Sequence, residues 1–301
     1  MDQKQPLVTI GIPSYNREAL LKRAIDSAIK QDYRNVEIIV SDNASTDGTG
    51  NLCRYYASQD GRFKYIRQSK NLGPTANFVE VLKNASGQFF MWLGDDDWID
   101  PAYVSSCVQL LINDPTMVLV SGVSQYYRQG QKIYEGKVFN LLSATWWRRV
   151  IVYYAKVADN GMFYGLMKTA QIRKIKMTNT MGGDWHVIAN IVSMGKTTMI
   201  PEISVHRELG EHTTSYQAIT KSLGIAKIQA ILPMSSIASS AWMDIVAKGQ
   251  AYKSRPVWVR VMVGGAVFAV IIFNGGVGYL AAAIRRSLRS SKWLTRAFHA
   301  S

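Results

Sequence analysis

Two apolar runs of strand length enclose a helix-period segment near the amino terminus, and this pattern restricts the fold more than any other feature of the chain. Leu7-Val8-Thr9-Ile10-Gly11-Ile12 reads as a strand, closed by the proline-punctuated loop Pro13-Ser14-Tyr15-Asn16-Arg17. Glu18–Gln31 places Leu20, Leu21, Ala24, Ile25, Ala28 and Ile29 on one helical face. Val36–Ser41 is a second strand. Strand, helix, strand is a βαβ unit, which builds a parallel sheet and leaves ligand sites at the carboxyl ends of its strands. Gln88–Leu93, aromatic-rich and short, is a further buried strand. Three polar loops should therefore converge on one sheet edge: Pro13–Arg17, Asp42–Thr49 and Asp95–Asp97. The expected class is α/β, a Rossmann-like, mostly parallel sheet with flanking helices.

Asp95-Asp96-Asp97 follows Gly94 directly after the strand. Adjacent carboxylates at a strand end repel one another and lose hydration. A divalent cation removes that conflict, and hard oxygen ligands suit Mg²⁺ or Mn²⁺ bridging carboxylates to substrate phosphates. The plainer reading is a solvated acidic turn, with an aspartate capping the helix expected near Pro101. No glycine-rich phosphate loop occupies the first βα turn.

Taken together, Pro13–Arg17, Ser41–Thr49, Asn71-Leu72-Gly73 and Asp95–Asp97 resemble glycosyltransferase family 2. The Asn71-Leu72-Gly73…Asn77-Phe78 element and Gly94 look most like its abequosyltransferase-like O-antigen and exopolysaccharide branch. The resemblance covers about residues 6–215. It implies a GT-A fold, a nucleotide-diphosphate sugar donor, Mn²⁺ or Mg²⁺ as cofactor, and inversion at the anomeric carbon. It assigns Pro13 and Tyr15 to the nucleotide base, with Arg17 in the same loop, and Asp42 to a hydrogen bond with that base. Asp95 and Asp96 go to the donor, and Asp96 and Asp97 to the metal. Gly94 stands where many members carry the first aspartate of the motif, so Asp95 is the weaker ligand. Asp47 is expected to stabilise its own loop.

Inversion in one displacement needs a base for the acceptor hydroxyl. Asp184, in Met181-Gly182-Gly183-Asp184-Trp185-His186, opens an apolar helical stretch. Spacing alone suits an N-cap equally well. The resemblance implies the base, although Gly183 replaces the usual preceding glutamate. His186 reads as a helix flank. Lys196–Val205 reads as a strand, followed by a loop, His206–Ser215. By resemblance that loop folds over the pyrophosphate, with His206, Arg207 and His212 as candidates for a metal ligand or phosphate clamp, Arg207 preferred for the phosphate and His212 for the metal; an ordinary solvated loop is the alternative.

Cys53 and Cys107 fall in expected helices and suggest no disulfide framework. The polar Met1–Pro6 segment lacks the apolar core of a signal peptide, so the catalytic domain is expected in the cytosol. Net charge is +14, and the last acidic residue is Asp244. Beyond it, nine positive charges from Lys248 to Arg296 flank the uncharged run Val261–Ile284. Asn274-Gly275-Gly276 interrupts that run, and basic residues on both sides favour a return to the same face of a membrane. A membrane-surface hairpin is therefore expected, against a single span or a buried soluble pair. Polybasic flanks bind anionic lipids. Leu141–Val150 mixes aromatics with arginines as interfacial helices do, and Ile225–Val246 is a second candidate for membrane or core contact.

The expected organisation is a catalytic domain at 1–215, with a nucleotide-sugar half at about 1–100 and an acceptor half at about 101–215. A helical extension at 216–254 and a membrane-anchoring region at 255–301 follow. The expected activity is sugar transfer to a lipid-linked glycan or glycolipid at the cytoplasmic face of a membrane. A polyprenyl-phosphate sugar synthase and an inactive scaffold are the alternatives. Nucleic acid is not an expected partner, since no binding motif accompanies the charge. Self-association remains open.

Overall fold

The computed structural model describes residues 5–209 and 215–275. Strands β1 (Val8–Ser14) and β2 (Val36–Asp42) are buried along their whole length and pair in parallel, from Val8–Val36 to Ser14–Asp42. Burial on both faces is why these strands read as nearly continuous apolar runs. Helix α1 (Glu18–Ile29) connects them, burying Leu21, Ala24, Ile25 and Ala28. Helix α2 (Thr49–Gln59) leads to β3 (Phe63–Arg67), parallel to β2 on its outer side. Helix α3 (Pro74–Asn84) has proline in its first turn, where the fixed φ suits the helix and no amide hydrogen is missed. It returns the chain to β4 (Phe89–Trp92), parallel to β1.

The second half of the sheet is mixed, adding antiparallel strands to the parallel amino-terminal half. The chain continues through β5 (Trp98–Ile99), α4 (Tyr103–Asn113), β6 (Met117–Arg128), β7 (Gln131–Glu135), α5 (Trp146–Lys156), β8 (Leu166–Lys168), α6 (Thr169–Ile172), α7 (Gly183–Met194) and β9 (Lys196–Glu208). The order is β3-β2-β1-β4-β8-β6-β9-β5, with β7 on β6. β8 runs antiparallel to both β4 and β6; β9 is parallel to β6, and β5 antiparallel to β9. A two-residue turn, Gln129-Gly130, joins β6 to β7 with φ of 51° and 77°. Such left-handed pairs match the twist of a tight hairpin, which forces antiparallel pairing.

β9 extends through His206 and Arg207, where the sequence suggested a loop. Pairing of His206 and Arg207 with Gln125 and Tyr126 of β6 carries the strand past Val205. Pro201–Ile203 bulge out between Gly122–Ile200 and Val123–Ser204, and the bulge keeps the two long strands in step beyond it. Gly122 is required there: a Cβ would lie 2.5 Å from the Ile203 carbonyl oxygen.

Two cores flank the sheet. One is built on α1, α2 and α4. The other joins α3, α5 and α7 to the carboxyl-terminal helices. These are α8 (Tyr216–Leu223), α9 (Ile228–Ile231), α10 (Pro233–Met243) and α11 (Val257–Gly275). Val263, Val267 and Ile271, one turn apart on α11, are buried in this core. α11 runs back along α10: Gly264 faces Trp242 and Gly275 faces Met234, where added Cβ atoms would come within 3.0 and 2.5 Å. The opposite face of α11 carries exposed Trp258, Met262 and Phe273. Among the described residues this is the one helix long and apolar enough to cross a membrane, and only 22 % of its apolar stretch is buried. The turn expected beyond Asn274 and the basic Arg285–Arg296 tail lie outside the described residues.

Arg149 of α5, in a stretch that reads equally as interface or core, belongs to the core. It is buried, and its guanidinium donates to the carbonyls of Ser143, Ala144, Val192 and Ser193, closing the carboxyl end of α7. Cys53 and Cys107 are free, buried thiols in α2 and α4.

Candidate active site

The loops after β1, β2 and β4 meet at the carboxyl edge of the parallel strands and are tied together by side chains. Asn16, at φ 52°, accepts from the Thr46 amide at 2.8 Å, and its own amide donates to Ser45 Oγ at 2.9 Å. Asp47 accepts from the Glu18 and Thr49 amides, the loop-holding role expected of it. The Asn71…Asn77 element latches the same edge. Asn77 Nδ2 donates to the Ser14 and Ser41 carbonyls, while its Oδ1 accepts from Ser41 Oγ. Asn43 and Asn71 pair at 2.9 Å. Pro13 was expected in the loop; it sits in buried β1 opposite Ser41, because the parallel ladder continues to Ser14. Tyr15 is 42 % exposed and Arg17 half-buried at the cleft. Asp42 is fully buried and accepts from the Ser45 amide, Tyr65 hydroxyl and Arg67 guanidinium at 2.7–2.9 Å. The Asp42 side chain presents no exposed surface to the cleft.

The acidic triplet forms a turn closed by the Asp97 amide on the Gly94 carbonyl. It is not the cap of α4, whose N-cap is Ala102. Asp97 is 3 % exposed; its Oδ1 accepts from the Glu208 amide and its Oδ2 lies 3.7 Å from Arg207 Nε. The Tyr15 amide reaches Asp95 at 3.4 Å. A Cβ on Gly94 would lie 2.6 Å from Asp97 Oδ2 and 3.2 Å from Asp96 Oδ1, so both carboxylates lean over the glycine. Burial, then repulsion from Asp96, pushes Asp95 up to about 7. Burial likewise takes Asp97 to about 7, with Arg207 opposing it.

Arg207 is fixed in β9, half-buried between Tyr126 and Tyr164. Nη1 donates to Tyr126 Oη at 2.8 Å and Nη2 to Tyr164 Oη at 3.2 Å; the guanidinium lies 4.4 Å from the Tyr164 ring centre. The strand and the two tyrosines hold it, where the sequence suggested a loop. Its positive charge opposes the rise in pKa of both Asp97 and Asp184.

Asp184 lies in the first turn of α7 and does not cap it; the N-cap is Gly182, without a side-chain bond. Asn160 Nδ2 donates to Asp184 Oδ2 at 2.8 Å, while Asn160 Oδ1 accepts from the Tyr153 hydroxyl at 2.7 Å. Burial raises the Asp184 pKa, and the Asn160 bond opposes that shift. Asp184, Asp159, Asn160, Tyr164 and Arg207 line one end of a cavity of about 840 Å³. His186 is a buried structural residue: it bonds Tyr154 and Ser240 at 2.8 Å, and burial lowers its pKa to about 4. His206 pairs with Asp100 at 2.7 Å and stacks on Trp98, away from the triplet. His212 lies outside the described residues.

Among the described residues no three His, Cys, Asp or Glu side chains close into a metal-holding cluster. The donor set nevertheless fits Mg²⁺ or Mn²⁺, which take one or two protein carboxylates and complete their shell with phosphate oxygens and water. Asp96 and Asp97 offer two such carboxylates, and burial raises the pKa of both, which a cation would offset.

The chain matches the model of the family "Glycosyl transferase family 2" over residues 9–174, more than half its length. It is a family 2 glycosyltransferase. Glycosyltransferase GlyA of Streptococcus pneumoniae is 30 % identical over 176 residues, 58 % of this chain and 24 % of that protein. The GalNAc(5)-diNAcBac-PP-undecaprenol beta-1,3-glucosyltransferase of Campylobacter jejuni is 37 % identical over 105 residues, covering 35 % of this chain and 34 % of that one. The chain thus spans a quarter to a third of these two relatives. Among solved structures, the mannosyltransferase PcManGT of Pyrobaculum calidifontis, in complex with GDP-Man and Mn²⁺, overlays with a TM-score of 0.54 at 18 % identity, covering 95 % of this chain and 81 % of that one. At that identity the likeness establishes the shared fold. Asp184 and Arg207 fall outside the matched segment of the family model.

Sequence reasoning missed Arg23, Asn160 and the tyrosines around Arg207. Arg23 donates to the Asp96 carbonyl at 2.6 Å, pairs with Glu208 and stacks 3.7 Å over Trp98. On α1 it reads as an ordinary solvated charge. Asp159-Asn160-Gly161 carries a turn signal, with Asn160 at φ 50°. Nothing local links it to Asp184.

Proposed function

We propose that this family 2 enzyme is an inverting transferase. It moves a sugar from a nucleotide-diphosphate donor to a lipid-linked or glycolipid acceptor at the cytoplasmic face of a membrane. The observation that carries the reading is a pair of acidic centres with Arg207 beside both: a cation-compatible triplet at the edge of the nucleotide half, whose Asp97 lies 3.7 Å from Arg207, and an accessible Asp184 that lines the same cavity as Arg207.

In this reading Tyr15 and Arg17 border the base and diphosphate, and Asp42 lies under the base pocket, fixing Tyr65 and Arg67. Asp96 and Asp97 would hold Mn²⁺ or Mg²⁺, which supplies positive charge against the leaving diphosphate. Mn²⁺ in the PcManGT complex supports a divalent metal. Arg207 adds a fixed positive charge between the donor and Asp184. Asp184 accepts the proton of the acceptor hydroxyl, and its raised pKa brings it closer to neutrality, where a carboxylate base is more effective. Asn160 holds the carboxylate in place. An acceptor that is itself a phosphate would leave Asp184 without a task, which favours a hydroxyl acceptor over the polyprenyl-phosphate synthase reading. The undecaprenol-linked substrate in the Campylobacter enzyme's name supports a lipid-linked acceptor. Exposed Trp258, Met262 and Phe273 on α11 support seating on a bilayer.

The test is Asp184→Asn. Turnover should fall about 100-fold or more, with nucleoside diphosphate binding near normal. Lost donor affinity with retained turnover would make Asp184 a donor contact instead.

A further inference from the structure

The cavity that begins at Asp184 is larger than the reacting groups require, and its character changes along its length. The end at Asp159, Asn160, Asp184 and Arg207 is polar. The remainder runs between α7, α8, α10 and α11, lined by Met177, Ile219, Leu223, Met234, Ile237 and Ile271. No charged side chain from α8, α10 or α11 enters it. The Asn274 amide at its far side donates to the Ala155 carbonyl. Thr75 and Thr180 also line it, but their hydroxyls already donate to Asn179 and Gln229, so a buried glycan would find few open partners, which is costly. Asp42 and the triplet are absent from the lining, so the cavity opens on the acceptor side of the reaction.

We propose that this aliphatic part of the cavity binds the hydrocarbon chain of the acceptor. The proposal rests on the lipid-linked reading above and extends it to a site. Two further observations favour a lipid chain. First, α11 contributes Ile271 to the cavity wall, while Trp258, Met262 and Phe273 on the same helix are exposed. Second, the first turn of α10 and the end of α11 meet at Met234 and Gly275, beside exposed Leu232 and Phe273. A chain leaving between them passes directly onto the apolar surface that faces a bilayer. The occupant is one aliphatic chain attached through a phosphate, either isoprenoid or acyl. Its head lies toward Asp184 and Arg207, and its tail toward the end of α11.

The experiment uses the full chain in lipid nanodiscs. Binding of isopentenyl, geranyl and farnesyl phosphate is measured, with butyl and dodecyl phosphate as the acyl-type arm. Each buried methylene strengthens binding roughly fourfold, so affinity should rise at least tenfold from the five-carbon to the fifteen-carbon probe. A gain confined to one arm tells isoprenoid from acyl. Leu223→Trp and Met234→Trp, both at half-buried positions, fill the cavity. Each should abolish the chain-length dependence at unchanged melting temperature and unchanged binding of UDP or GDP. Chain-length dependence that survives both variants would place the lipid on the outer face of α11 and overturn the proposal. Equal binding of short and long probes would assign the cavity to the glycan and overturn it as well. Failure of UDP and GDP to bind while the lipid series behaves as expected would count against the transferase site, not against this one.

Discussion

Asp184 is held by a chain of three side chains, Tyr153 to Asn160 to Asp184, and this chain is where a change should be read most cleanly. The Asn160 amide favours the charged carboxylate against burial, which favours the neutral acid. Arg207 acts in the same direction as Asn160, while Asp159 lies near and Tyr153 and Tyr154 face Asp184 as neutral phenols. Removing the amide raises the Asp184 pKa further. Asn160→Gly tolerates the left-handed backbone and removes only the side chain. Its acidic limb in a pH–turnover profile should move to higher pH, with donor binding unchanged. A limb that stays in place would show that Asn160 does not tune the base. Gly94 is instructive at the same scale. The family's motif carries an acid there, but Asp96 and Asp97 already occupy the space such a side chain would need.

At the scale of elements, the donor edge depends on buried amide latches more than on the strands themselves. Asn77 joins β1, β2 and α3 through three hydrogen bonds while 4 % exposed. Asn77→Ala leaves buried carbonyls unpartnered, at about 1–3 kcal/mol for such a group. Denaturant unfolding should show a loss of about 2–3 kcal/mol, with weaker nucleoside diphosphate binding. A change below about 0.5 kcal/mol would mean that water replaces the latch. The first half of the fold was legible because β1, α1, β2 and β4 announce themselves by period and by turn residues. The asparagines were visible as a motif, but their work spans 28 to 63 positions of separation, which no local pattern encodes. The same holds for β9. Its last residues, His206 and Arg207, look like a polar loop and become strand only because β5 and β6 lie beside them. Arg149 sits in a stretch that reads equally as interface or core, because the carbonyls of Val192 and Ser193 that help satisfy it in the core are 43 and 44 positions away.

Across the whole molecule, α11 belongs to the folded core and to an exposed apolar surface at once. Deleting everything after Ser254 would therefore strip Val263, Val267 and Ile271 from the core as well as the anchor. The better probe changes only the outer face. Trp258→Ser, Met262→Ser and Phe273→Ser together should move the enzyme from the membrane to the soluble fraction, leaving the melting temperature within a few degrees. Retention on membranes would place the anchor elsewhere. The aromatic and basic pattern of this region was readable in the sequence; its packing against α10 was not, since helix contacts across a turn depend on Gly264 and Gly275 meeting Trp242 and Met234. The central claim is that the triplet edge and Asp184 form one metal-assisted sugar-transfer site. It is tested most directly by incubating the purified full chain with a panel of UDP-, GDP-, dTDP- and CDP-sugars in Mn²⁺ or Mg²⁺ and following release of the nucleoside diphosphate. One donor should be consumed, EDTA should stop the reaction, and Asp97→Ala should abolish it. Full activity in excess EDTA, or an Asp97→Ala variant as active as the parent, would contradict the account.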